Sequence, residues 1–411
     1  MNSRLKAPAT SLMMIGALSA SVLLTPAQAA TLQPVGPTSA TASSLAQSVN
    51  STGKVAGAIG SDTPGGPDRA WVDPGVTLTQ LNPGNSCRAN SISNEPQGRD
   101  IHSVLGTCTT AAGPAHVTTW SPESDNPTED KPLTLLGTGL LPDPSAQATA
   151  RNRVTSLTAG QSFNSAGQAA SVAWSQGTAV PLTLLDVSLV RDNCLPVAVN
   201  GRAFNNVDIA LNCPNPDGTV TPKLATNGLL GFTVVALPLP ANSHCEAVMV
   251  NTVREVFGTC VNPATNQPTA TYWATPSSTP KLLNMSGHPA NQAKFANNLG
   301  YVAVTYQLAS GGLAAALWHP ATSQIFLVNT AANITSVAIV SLADSNRMLL
   351  NQTNTSQVVT GASWTVENGV QALGTYQGQP VTGVDIDSSG SYAAASATVG
   401  GKLIALRAIL P

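Results

Sequence analysis

The residues of this chain best suited to move protons near neutral pH are His102, His116, His244, His288 and His319. None pairs with another at metal-ligand spacing, and no His-Glu-x-x-His run occurs. His319 follows Trp318 and opens a loop, which predicts solvent exposure, while His244 before Cys245 reads as a strand cap. Histidines without partners point to surface or structural roles rather than catalysis. Asp385-Ile-Asp387-Ser-Ser389-Gly390 has the alternating oxygens and glycine of the first half of a calcium loop, but the closing glutamate is missing. Other copies of this position read Asn-x-x-Gly, so a repeat turn is the simpler reading. No cofactor is therefore expected, calcium being the one weak possibility. No Gly-x-Ser-x-Gly elbow occurs, and Gly57-Ala-Ile-Gly60 lacks the lysine and helix of a phosphate loop.

Six cysteines suggest a different chemistry: Cys87 with Cys108, Cys194 with Cys213, and Cys245 with Cys260. The first of each pair precedes an apolar run and the second closes the next one, at separations of 21, 19 and 15 residues. Two antiparallel strands joined by a turn would place each pair across the open end of a hairpin, within disulfide reach. A thiolate metal site would need closer spacing.

That pairing requires an oxidising compartment, and the start of the chain supplies a route to one. Arg4 and Lys6, the apolar stretch Leu12 to Leu24, and Ala27-Gln28-Ala29 read as a secretory signal over residues 1–29. Residues 30–411 then form the exported part, expected in the periplasm or outside a bacterial cell. No later segment has the roughly 18 consecutive apolar residues of a membrane span. Only 9% of the 411 residues are Asp, Glu, Lys or Arg, and the formal net charge is −2, which argues against nucleic-acid and polybasic membrane binding. With 42% hydrophobic residues, global disorder is also a poor reading.

Repeats dominate the exported part. Trp71, Trp120, Trp174, Trp273, Trp318 and Trp364 each end a short strand-like run, at spacings of 49, 54, 99, 45 and 46 residues. The long gap is two units, and the missing member is placed at Leu224. Apolar clusters such as Leu133 to Leu136, Leu182 to Leu185, Leu282-Leu283 and Ile325 to Val328 follow. Runs such as Val49-Asn50-Ser-Thr-Gly53-Lys-Val55 and Ile386-Asp387-Ser-Ser-Gly390 precede the tryptophans. Each unit thus holds about four short strands. A four-stranded unit cannot bury two faces by itself, but units stacked face to face around an axis can.

The sequence therefore predicts an all-β fold: a β-propeller of four-stranded blades, eight in number with seven as the alternative, in one domain. Units open near residues 46, 89, 148, 197, 247, 293, 337 and 384, and Thr31 to Val35 would supply the strand that closes the ring. Segments 121–131 and 214–222, rich in Pro, Asp and Asn, read as surface loops. Sequons at Asn50, Asn333 and Asn351 read as Asn/Thr-rich loops rather than glycan sites.

The order Val/Ile-Asn-x-x-Gly-x-Val, Ala-x-Trp, then a Leu-rich strand resembles the bacterial HAF-type extracellular repeats across nearly the whole exported part. It lacks their Leu-Gly-x-Leu-Gly-Gly ending. The resemblance implies export and a propeller, with no catalytic residues to carry over.

In such a ring the scarce charges near the first strands stand out: Arg88, Arg151, Arg153, Glu246, Lys294 and Asp385. Converging at one mouth, they would make a mixed-sign patch for a sugar or anionic group. Their plain role is that of solvated strand ends. The leading expectation is a monomeric, non-catalytic binder of a glycan or surface protein. The alternative, a hydrolase, lyase or lactonase, needs at least two of His102, His288, Glu246, Asp385 and the arginines within hydrogen-bond reach. An envelope scaffold is a third possibility.

Overall fold

A computed structural model describes residues 29–39, 41–63, 66–94, 103–109, 113, 115–121, 124–130, 143–152, 157–175, 178–183, 191–203, 206–228 and 231–411. Their regular structure is all β, and no helix among them is long and apolar enough to cross a membrane. The strands form eight antiparallel sheets, seven of them in chain order and the eighth also taking in the first strand of the chain. The first strands meet around the centre and the fourth strands lie on the rim. This is an eight-bladed β-propeller.

The innermost strands, blade one to blade eight, are Ser44–Val49, Ser86–Ile92, Ser145–Arg151, Leu195–Ala203, His244–Val250, Asn291–Ala296, Ile334–Leu342 and Gln379–Ile386. Each contains the residue at which the repeat pattern opens a unit. Because neighbouring strands are antiparallel, the turns between first and second strands share one end of the molecule with those between third and fourth. The turns between second and third strands share the other end with the blade-to-blade links. These are called the turn end and the link end below.

The ring closes with the strand expected to do so. Thr31–Pro34 pairs antiparallel with Lys402–Ile409, from Thr31 opposite Ile409 to Pro34 opposite Leu406, as the rim strand of blade eight. Arg407 ties this joint together: it donates to Gln33 Oε1 at 2.6 and 3.1 Å and to the Gly53 carbonyl at 3.1 Å, and it pairs with Asp73 at 2.8 Å. Burial pushes the Asp73 carboxyl up, against the pull of Arg407.

The core lies in the seams. Each blade has two apolar faces, and each tryptophan packs against the blade before it: Trp120 on Ala56 and Ala70, Trp318 on Phe257 and Tyr272, Trp364 on Leu317, and Trp71 on Ala394 and Ala405 across the closure. The ring thus buries large flat side chains that no isolated blade could cover.

Three expectations need correction. At the missing tryptophan, register places Ala225, not Leu224, opposite Ile209, as Trp273 lies opposite Val256. One residue in a strand reverses the face, so Leu224 packs toward blade five with Trp273, and Ala225 lies in the seam with blade three. Partly buried Phe232 and Val234 pack against that seam. Of the two segments expected to be loops, Ser124–Asp130 is instead the rim strand of blade two, whereas 215–219 is a surface turn between the strands Asn206–Pro214 and Val220–Gly228. The rim strand of blade three is Thr178–Pro181, ahead of the Leu182 cluster, and Leu133 to Leu136 lie outside the described residues.

The three disulfides pair as the spacing predicts, with Cα separations of 4.1, 4.1 and 4.0 Å. Each joins the first and second strands at the link end of blades two, four and five. They indicate an oxidising compartment.

Candidate functional site

Every innermost strand carries a β-bulge at the same place. The extra residues are Gln47, Asn90, Thr149, Val197, Val248, Lys294, Val340 and Val384. A bulge sets two residues against one and bends the strand. In blades one, two, three and five the facing residue is glycine, for a steric reason. A Cβ on Gly57, Gly106, Gly160 or Gly258 would lie 1.8 to 2.1 Å from the carbonyl oxygen of Leu45, Arg88, Gln147 or Glu246.

Two residues toward the link end from each bulge is a second ring: Leu45, Arg88, Gln147, Leu195, Glu246, Gln292, Ala338 and Thr382. Arg88, Gln147, Leu195, Glu246 and Ala338 are exposed there. Arg88 and Glu246 are thus structural equivalents in blades two and five. The Arg88 guanidinium leans outward to Asp68, at 2.5 and 2.8 Å. Lys294, at the bulge of blade six, is exposed and donates to Gln292 Oε1 at 2.8 Å. The mouth is mostly amide, hydroxyl and aliphatic, with its few charges on separate blades.

Asp385 follows the bulge of blade eight and is buried. One carboxylate oxygen accepts from Ser48 Oγ and Val49 N of blade one, each at 3.1 Å, and the other from Ser341 Oγ of blade seven at 3.2 Å. It therefore joins three blades at the closure. Arg151 has a similar role in blade three, donating to the carbonyls of Ser91 and Ser103 of blade two at 3.1 Å each, and to Ser103 Oγ. Arg153 and His102 lie outside the described residues.

The turn end is laced by asparagines. In blades one, five and six, Asn50, Asn251 and Asn297 accept the backbone N–H groups two and four residues on, at 2.9 to 3.2 Å. Asp387 does the same work in blade eight, accepting from Ser389 N and Tyr392 N. Its run is thus built as a repeat turn, with Gly53, Gly300 and Gly390 at φ of 74 to 81° where a side chain would be strained. Asn50 and Asn297 also donate to the Ser93 and Ala343 carbonyls of the next blade, at 3.1 and 2.9 Å, as Asn200 does to Asn251. A further chain runs from Thr252 N to Asn298, from Asn298 to Asp344, and from Asp344 N to the Ser388 carbonyl. Asn94 of blade two reaches past blade one to Ser388 Oγ at 3.2 Å.

His288 and His319 do not join these groups. His288 contacts the Tyr306 ring at 4.6 Å and the Gln307 carbonyl through Nδ1 at 3.1 Å. His319 is half-buried against the Tyr301 ring at 4.4 Å, not simply exposed, and its Nδ1 meets Thr322 Oγ1. Nearby, Glu255 is a carboxylate that the sequence reading passed over; it accepts from Tyr272 Oη and Asn251 Nδ2, each at 2.6 Å. Burial, then Glu255, push the Tyr272 phenol well above its usual range. Its place just after the Asn-x-x turn of blade five was the one available signal. Among the described residues, no group of three or more His, Cys, Asp or Glu is placed to hold a metal ion.

No family model and no curated protein matches this chain. Solved structures do share its architecture. A Galerina marginata prolyl oligopeptidase B aligns over 87% of this chain and 54% of its own, at 12% identity and a TM-score of 0.52. Leishmania major oligopeptidase B aligns over 87% and 53%, at 9% identity and 0.51. A puromycin-hydrolyzing peptidase of Mycobacterium tuberculosis aligns over 90% and 61%, at 9% and 0.50. The chain thus spans half to three-fifths of the length of these peptidases, and at such identity the likeness is one of fold.

Proposed function

We propose that this chain is an exported, monomeric and non-catalytic β-propeller, working in the bacterial periplasm or outside the cell. It binds a glycan or a surface protein across the link-end mouth. The observation that carries this reading is how the inner-strand charges are spent. Asp385 and Arg151 are consumed in seams and Arg88 is paired with Asp68, so these three inner-strand charges are engaged within the fold. What remains at the mouth is Gln147, Glu246, Gln292, Lys294 and Thr382, a set suited to hydrogen-bonding a neutral polar ligand. The lacing of the turn end favours the link end as the entrance. The HAF-type resemblance of the repeats belongs to the same proposal.

A hydrolase at the mouth is the second reading. Glu246 and Lys294, on neighbouring blades, would be its acid–base groups. A glycan array and a surface-protein pull-down with residues 30–411 test the first reading. Saturable micromolar binding, weakened by Gln147→Ala or Glu246→Gln, is expected. No partner in either screen would overturn it.

A further inference from the structure

A cleft of about 220 Å³ opens at the link end of blade eight, beside the mouth. Half-buried Thr382 belongs both to the second inner ring and to the cleft wall, so the two are continuous. Apolar surface comes from Val359 of blade seven with Pro380 and Leu403 of blade eight. Polar groups come from Gln379, Ser396 and Thr398, and no lining residue is charged.

Ser396 is the informative member. It is more than nine-tenths buried, yet its hydroxyl has no hydrogen-bond partner in the protein; the Thr382 hydroxyl bonds to the Ser396 carbonyl, not to Oγ. The oxygen is not among the buried polar atoms left without a partner, so it stays open to the cleft and available to a ligand. The Gln379 amide and Thr398 hydroxyl are likewise exposed and uncommitted. The cleft is smaller than the ~300 Å³ at which drug-sized sites begin, which limits it to one ring-sized group.

We propose that this cleft is a subsite for a single neutral sugar residue, the terminal unit of the glycan bound at the mouth. Ser396 and Thr398 would meet ring hydroxyls, the Gln379 amide would donate and accept at once, and Val359, Pro380 and Leu403 would cover the sugar's C–H face. The inference rests on the glycan reading of the mouth and narrows it. An uncharged wall would select against sialic and uronic acids, whose carboxylates would find no cation there.

The test is calorimetric titration of residues 30–411 with glucose, galactose, mannose and N-acetylglucosamine, and with glucuronic acid as the charged control. At least one neutral sugar is expected to saturate, with glucuronic acid silent. Ser396→Ala and Thr398→Val are each expected to weaken binding up to about tenfold, as the loss of one hydrogen bond allows. Thr322→Val, at the turn end, should bind as the parent does. Unchanged melting temperatures would separate lost contacts from lost fold. A positive glycan array with no saturable monosaccharide, or binding indifferent to both cleft substitutions, would overturn the subsite and leave the mouth reading standing. A negative array would remove both.

Discussion

Asn297 does two jobs with one amide: its oxygen closes its own turn, and its nitrogen holds the next blade at Ala343. Asn50 repeats both contacts at the seam with blade two. Truncation would leave buried backbone groups unpaired, so Asn297→Ala is expected to cost roughly 2 to 3 kcal/mol, read as a lowered unfolding midpoint in urea. The Asn-x-x-Gly spacing made the turn legible, but not the second bond, because the partner lies one blade further on. Asp385 was legible as a charge near an inner strand, whereas its burial between Ser48 and Ser341 depends on ring closure. Tyr272 carries a pH prediction. Its phenol titrates higher folded than unfolded, so its contribution is intact below about pH 10 and is lost as pH rises beyond it. Thermal unfolding followed from pH 9 upward should therefore show a shallower alkaline decline for Tyr272→Phe than for the parent.

At the scale of the element, the bulge and the disulfide both act on the hairpin of first and second strands. The bulge bends the inner strand at one point in every blade, and in four blades only glycine fits opposite it. The cysteines bridge the link end of three hairpins, where spacing alone revealed them. Each closes a loop of 15 to 21 residues, worth about 3 kcal/mol on the loop-entropy argument. Reduction by dithiothreitol should lower the melting temperature, and the Cys245→Ser, Cys260→Ser double variant should lose about a third of that effect; an unchanged melting curve would remove their stabilising role. Rim strands were the hardest elements to read. Ser124–Asp130 is bonded along one edge only, so its strand pairing needs no apolar alternation, and a run rich in Asp, Pro and Asn resembles a loop. The shift from Leu224 to Ala225 has a similar origin: one residue of register is invisible to spacing but decides which seam a side chain enters.

Over the whole molecule, repeat counting reached eight blades and the closing strand because each blade depends on its neighbours to bury two faces. The function was far less legible, since a propeller fixes where a ligand can sit but not which ligand. Seams absorb Asp385 and Arg151, and the mouth is left with dispersed charges and neutral polar groups. The proposed binding role is tested most directly by the fate of the ligand. A glycan captured by residues 30–411 should be recovered after prolonged incubation and weighed by mass spectrometry. The account predicts an intact glycan at its starting mass. A cleaved or eliminated product, formed by the parent and abolished by Glu246→Gln, would contradict it.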